Sequence, residues 1–410
     1  MISPISHSAC LQTSPPPPSE EKKQEDPIAS PEGLFRTLST TQQVVIAQII
    51  GHPPEHPLTT EIFRVTMESL QGIEKEAASN GLKFPILSFS NSLDPANPAV
   101  TKVKLIISPP DRKTKSERPY LLVSTRNKGT FKKHFDSLDL ERISRCAFLI
   151  MKEGTADEPT RYSMECVSAI QNLKRFSSQG VAALLHDFVY PSLKPEIRKF
   201  ALVLERCDRD LSSEPQPISN ERFLQIFTKS AEALLAFHSR GVIHRDIKPQ
   251  NLGVQEGPEG LEIKLLDLDF ACFRGSPFRF CGSPLYVAPE IIKTAYLIKR
   301  HPLIPLPPAS PAQDVWSLGC SMASMAANTH LFFQPAEVAK RIEFPILSGV
   351  SWDSLVTESI ERQIPILSFP EKQLLIRMLQ EDPRKRPTML EVVESLKQLQ
   401  SKDAELATER

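Results

Sequence analysis

Glycine is scarce in this sequence, with 15 among 410 residues. Ordinary usage, about 7%, would give roughly 29. Collagen-like architecture is therefore excluded. Long apolar runs are missing too. The strongest stretch, around Val44–Ile50, falls well short of the ~20 residues that a membrane-spanning helix requires. No basic start followed by an apolar segment marks a secretory signal. Neither sign of charge prevails, since 49 Lys+Arg balance 49 Asp+Glu. Bulk electrostatics thus give no case for nucleic acid or an anionic membrane. The 7 cysteines are scattered, with no Cys-x-x-Cys pair. Reduced thiols in a cytoplasmic compartment are expected.

What is present points to packed domains. Hydrophobic residues make up 40% of the chain and charged ones 24%, enough apolar material for real cores and against global disorder. Proline is abundant, at 37 residues, and unevenly placed. Residues 1–33 read as a disordered tail with a Pro15–Pro18 run and a charged Glu20–Asp26 stretch. Such a run can dock on an aromatic-lined groove or remain a solvated tail. Residues 34–115 read as an N-terminal accessory region of unknown role. Its apolar patterns predict helices over Val44–Ile50 and Ile62–Ile73, a stop at Asn80-Gly81 and a strand over Val103–Ile107.

From about residue 116 the pattern changes. Strand-like stretches occur at Tyr120–Ser124, Phe131–Leu138 and Cys146–Lys152. A helical stretch near Tyr162–Phe176 follows, then strands at Ala182–Val189 and Phe200–Glu205. The remainder is mainly helical, and the whole is an α+β arrangement.

Residues 244–251 read His-Arg-Asp-Ile-Lys-Pro-Gln-Asn, after a helix pattern over Phe223–Phe237 and an exit at Arg240-Gly241. Asp267 then ends the strand-like Ile263–Leu266. Ala288-Pro289-Glu290, Asp314-Val315-Trp316-Ser317-Leu318-Gly319 and Arg386 follow in order. With this set the chain resembles the eukaryotic-type serine/threonine protein kinases over roughly residues 119–400. The resemblance implies a two-lobed fold with a small β-rich N-lobe (116–205) and a larger helical C-lobe (206–400), an extra N-terminal region before it, and a 401–410 tail.

The resemblance also implies roles. ATP and Mg²⁺ would be the cofactors and protein hydroxyls the acceptors. Asp246 would orient the hydroxyl, Lys248 would meet the transferring phosphate, and Asn251 and Asp267 would hold Mg²⁺. Lys152 would contact the α and β phosphates, paired with Glu165, although Gln171 is nearer the usual spacing. Gly129 would lie in the phosphate loop, and Glu205 and Cys207 would offer backbone hydrogen bonds to adenine. Glu290 and Arg386 are expected to form a buried clamp, Asp314 to bind backbone under the catalytic loop, and His244 to be a packed residue.

Several positions depart from the family pattern. The phosphate loop, Asn127-Lys128-Gly129-Thr130-Phe131-Lys132, keeps only its middle glycine. Lys132 brings a cation that partly compensates. The metal motif is Asp267-Leu268-Asp269, with Asp269 where glycine is usual. Ile150 stands where a small alanine is usual, and Gly253 where an apolar side chain is usual. Together they predict a nucleotide displaced toward Gly253. Either phosphorylation of Ser276, read by Arg245, or constitutive ordering by Arg279 is expected for the following segment, with Ser283 orienting Asp246. Residues 291–313, with five prolines, predict a stiff exposed loop suited to docking or inert. The alternative to an enzyme is a pseudokinase that binds nucleotide or partners.

Overall fold

The computed structural model describes residues 87–91, 101–108, 118–128, 132–142, 144–151, 171–176, 180–191, 198–298, 306–329, 351–364 and 366–408, with a few isolated positions before residue 65. The chain divides into two compact units, Met1–Tyr162 with Leu184–Arg206, and Ser163–Ala183 with Cys207–Arg410. The helices predicted over Val44–Ile50 and Ile62–Ile73 and the stop at Asn80-Gly81 lie almost wholly outside the described residues, as does the 1–33 tail.

The first unit is built on one antiparallel sheet. Its strands are β1 (Leu87–Asn91), β2 (Thr101–Ile107), β3 (Pro119–Lys128), β4 (Lys132–Asp139), β5 (Ser144–Met151), β6 (Leu184–Pro191) and β7 (Arg198–Glu205), in the order β1-β2-β3-β4-β5-β7-β6. The 34–115 region, of unknown role, therefore contributes two strands. β2 pairs with β3 from Val103 opposite Val123 to Ile107 opposite Pro119.

Successive side chains of a strand alternate between faces. On β5, Cys146, Phe148 and Ile150 join Tyr120, Phe188 and Val203 in the apolar core. Tyr120 lies edge-on to Phe148 at 5.5 Å and stacks on Phe188 at 6.0 Å. Its hydroxyl meets His186 Nδ1 at 2.9 Å, so the buried phenol keeps a polar partner. Leu121, Leu138, Leu149 and Leu202 are buried as well.

The second unit is mainly helical, with α1 (Asn220–Ser239), α2 (Pro289–Ile298), α3 (Ala312–Ala327), α4 (Trp352–Gln363), α5 (Phe369–Met378) and α6 (Met389–Thr408). β8 (Arg209–Asp210) precedes α1 and pairs with β10, while the short strands β9 (Val242–Ile243), β10 (Leu252–Gly257), β11 (Gly260–Leu265) and β12 (Cys272–Phe273) frame the loops between α1 and α2. The side chain of Ser219 caps α1 by accepting from Arg222 N, and Glu221 favours the same end. Phe223, Phe227, Leu234 and Phe237 give α1 its buried face.

One expectation, on the 291–313 segment, needs correction; residues 171–176 and 180–183, for their part, group with the helical unit. The reason is local bonding: Ala182 N donates to Leu265 O at 3.1 Å, Leu265 N donates to Gly180 O at 2.7 Å, and Phe176 meets Phe273 edge-on at 5.4 Å. The 291–313 segment is not a loop throughout. Residues 291–298 belong to α2, where Ile291 and Ile292 are buried. Further on, Ala309 exchanges backbone hydrogen bonds with the 275–276 turn, Gly275 N to Ala309 O at 3.0 Å and Ala309 N to Ser276 O at 2.9 Å. The prolines beyond residue 301 dominated the composition and hid the apolar helix before them.

Candidate active site

Asp246 and Asn251 lie on the connection from β9 to β10, and both are only 5% exposed. Pro249 opens a 3-10 turn, Pro249–Asn251, closed by Asn251 N donating to Lys248 O at 2.9 Å. That turn brings Asn251 back over Asp246. Asn251 Nδ2 donates to the Asp246 carbonyl at 2.8 Å and to its Oδ2 at 3.0 Å. Lys248 Nζ donates to the same Oδ2 at 2.9 Å and to Ser283 Oγ at 2.6 Å. Ser283 N donates to Asp246 Oδ1 at 2.7 Å. One carboxylate is thus fixed by a backbone N–H, an ammonium and an amide.

The support beneath is equally specific. Asp314 is fully buried. Its Oδ2 accepts from His244 N and from His238 Nε2, both at 2.8 Å, and its Oδ1 accepts from Arg245 N at 2.8 Å. Burial opposes the Asp314 charge, yet the His238 hydrogen bond and the adjacent histidines outweigh it and hold the carboxyl below its usual range. Arg245 itself sits at φ 68, a left-handed conformation uncommon outside glycine. His244 is packed, at 0% exposure. Its Nδ1 accepts from Asp246 N at 3.3 Å, which places the ring hydrogen on Nε2, 2.8 Å from the Leu266 carbonyl. Glu290 and Arg386 form a bidentate pair at 2.7 and 3.0 Å. The guanidinium also covers Trp316 at 5.0 Å.

Asp267 adopts φ 58, ψ 69, immediately before the 3-10 turn Leu268–Phe270. Aspartate tolerates this region better than most residues, at a cost of roughly 1–2 kcal/mol. The turn is held from outside. Arg245 Nε donates to Phe270 O at 2.6 Å, and Asn172 Nδ2 donates to Leu268 O at 2.9 Å and Ala271 O at 3.2 Å. Asn172 escaped the sequence reading. Its one signal was a place on the predicted 162–176 helix, and nothing local names partners 96 and 99 residues away.

Two glycines answer to close approach. A Cβ on Gly282, at φ +99, would stand 2.6 Å from Arg245 O. A Cβ on Gly253 would stand 2.5 Å from Cys207 Sγ and 3.2 Å from Leu266 Cδ1. The space beside Gly253 is thus filled by the chain's own side chains. Ile150, meanwhile, is spent on the sheet core. The expected displacement of a nucleotide toward Gly253 is corrected accordingly.

Asp246, Lys248, Asn251 and Asp267 all belong to the helical unit, as does the buried Cys207. Glu205 ends β7 in the sheet unit, opposite Cys146. Gly129, Lys152 and Glu165 lie outside the described residues. Lys132 opens β4 opposite Met151, the last residue of β5. Arg245 is engaged by the Phe270 carbonyl, and Arg279 lies over the Phe270 ring at 5.6 Å.

The donor set suits Mg²⁺. Both amide hydrogens of Asn251 are committed to Asp246, which leaves Oδ1 as a hard oxygen donor, and Asp267 adds a carboxylate. Among the described residues no cluster of three His, Cys, Asp or Glu side chains forms a denser metal site. No described helix is long and apolar enough to cross a membrane.

A buried aspartate held by lysine and asparagine two and five residues on, above a clamped helical base, defines a kinase-type domain. The family model of the protein kinase domain matches residues 128–396. The chain belongs to that family. Human serine/threonine-protein kinase ULK1 is 26% identical over 267 residues, covering 62% of this chain and 22% of that protein. Maternal embryonic leucine zipper kinase of Xenopus laevis is 28% identical over 281 residues, covering 66% of this chain and 38% of that protein. Calcium-dependent protein kinase 9 of Oryza sativa subsp. japonica is 31% identical over 168 residues, covering 40% and 25%. The chain spans between about a fifth and two fifths of these relatives' lengths.

Proposed function

We propose that this protein transfers the γ-phosphoryl group of ATP to serine or threonine hydroxyls of proteins. The observation that carries this reading is the fixed Asp246 carboxylate, with Ser283 N on one oxygen and Lys248 and Asn251 on the other. A carboxylate oxygen has more than one acceptor direction. Asp246 Oδ1 therefore accepts an acceptor hydroxyl while Ser283 N holds it in place. The hydroxyl oxygen forms a bond to the γ phosphorus, the β–γ bridging P–O bond breaks, ADP leaves, and the hydroxyl proton passes to Asp246. Lys248, already anchored on Asp246 and Ser283, places a cation beside the transferring group. Asn251 and Asp267 would hold Mg²⁺, which supplies charge neutralisation when bound. Gly129 and Lys152 would serve the phosphates, Glu165 would pair with Lys152, and Glu205 and Cys207 would offer backbone to adenine.

The test is a transfer assay with labelled ATP, Mg²⁺ and a basic protein substrate, with Asp246→Asn and Asp267→Ala alongside. Wild-type transfer well above both variants is expected. Transfer no greater than theirs overturns the reading, and ATP binding without transfer would then favour a nucleotide-binding pseudokinase.

A further inference from the structure

The metal turn carries a conflict. Asp267 is held in a left-handed conformation without being glycine, and the glycine that usually loosens this turn is replaced by Asp269. Such a conformation persists only where the surroundings over-determine it. Within the turn itself, the backbone bond recorded is Ala271 N donating to Leu268 O at 3.0 Å. Side chains from elsewhere secure three of its carbonyls. Arg245 takes Phe270, and Asn172 takes both Leu268 and Ala271. The Asn172 contacts fix its amide orientation, since two carbonyls at one atom require the NH₂ there. Asn172 stands among helical residues 171–176, whose Phe176 packs on Phe237 and Phe273. Its backbone is therefore anchored independently of the turn.

We propose that Asn172 is a positioning residue: it clamps both ends of the 268–271 turn and thereby sets the Asp267 carboxylate for Mg²⁺. The inference rests on the kinase reading for its metal. Groups that orient a metal ligand typically change metal affinity about 10- to 100-fold when removed.

The experiment uses the full chain with Asn172→Leu, which keeps volume and removes the donors, and Asn172→Gln, which keeps an amide on a longer arm. Asn172→Ala replaces the leucine variant should that fail to fold. Two readouts are taken: exchange of the Ala271 amide, and Mn²⁺ binding in the presence of ADP followed by the free-Mn²⁺ signal. Asn172→Leu should speed Ala271 exchange and weaken Mn²⁺ by about ten-fold, with β10 and β11 exchange unchanged and Asn172→Gln between the two. In the transfer assay the Mg²⁺ requirement should rise while KM for the protein substrate stays. Unchanged exchange, or unchanged Mn²⁺ affinity, overturns the proposal. A wild-type chain that binds Mn²⁺ but transfers nothing sinks the enzyme reading alone, because exchange and Mn²⁺ binding still decide this one.

Discussion

The 244–251 loop and the 267–271 turn are both short, both buried in part, and held differently. In the loop, Lys248 and Asn251 hold the Asp246 carboxylate from within eight consecutive residues, with Ser283 N added. The turn leans on Asn172 and Arg245, neither of which belongs to it. A carboxylate held mainly by side chains of its own loop shows those partners in its motif. A turn held from outside keeps its geometry through distant residues, Arg245 from the 244–251 motif and Asn172 from no motif, and Asn172 links the turn to another part of the domain.

The largest expected effect tests the loop. Asp246→Asn should lower kcat by about 10³- to 10⁴-fold, the upper range for a lost general base, while the thermal midpoint barely moves. A large drop in midpoint would mean that the charge of Asp246 is needed to hold the loop as well as to act on a hydroxyl. Next comes the clamp under both regions. Glu290→Gln should destabilise the helical unit by about 3 kcal/mol in denaturant unfolding, because Arg386 has a side chain that is 0% exposed and would lose its charge partner. Third, Lys152→Met should cost about 100-fold in kcat/KM if the family lysine is in place, a loss of roughly 2.7 kcal/mol in transition-state binding. Lys132→Met is its comparison. Lys132 begins β4 opposite Met151, next to the phosphate loop, and a larger loss there would move the phosphate contact to the earlier strand.

The fourth effect is one of pH. The Asp314 carboxyl is depressed below its ordinary 3.8, so it ionises more readily folded than unfolded. Its contribution to stability is fully present above the unfolded value and is lost as pH falls through the folded one. Asp314→Asn should therefore flatten the acid limb of a stability–pH curve below about pH 4 while lowering stability at neutral pH. The smallest effect separates the regions most finely. Asp269→Gly should change kcat by less than about five-fold while hastening exchange at Ala271, since glycine restores freedom that the outside contacts already restrain. A large gain in activity would show that Asp269, rather than the external clamp, limits the turn.

Much of the catalytic half was legible because it is local. The spacing of Asp246, Lys248 and Asn251 along one loop predicts their meeting, and the ordered landmarks Glu290, Asp314 and Arg386 predict the base on which the loop rests. The unreadable parts depend on distant partners. Gly253 reads as an empty floor until Cys207 Sγ is found against it. Ile150 reads as a nucleotide contact until strand alternation puts it with Phe148 in the core. The five prolines after Glu290 read as one loop, yet α2 ends before the first of them. β1 and β2 were invisible as part of the sheet, since antiparallel partners are set by register and no motif marks it.

The breadth of that sheet has a practical corollary for anyone trimming the protein. The family match starts at residue 128, where β3 ends. A recombinant fragment cut there would discard three of seven strands and turn β4 into a raw edge. Phe135 and Leu138, now buried at 7% and 0%, would stand beside unpaired backbone amides, the combination that invites edge-to-edge aggregation. The sheet is therefore longer than the family match, and a fragment that keeps all of its described strands starts ahead of Leu87.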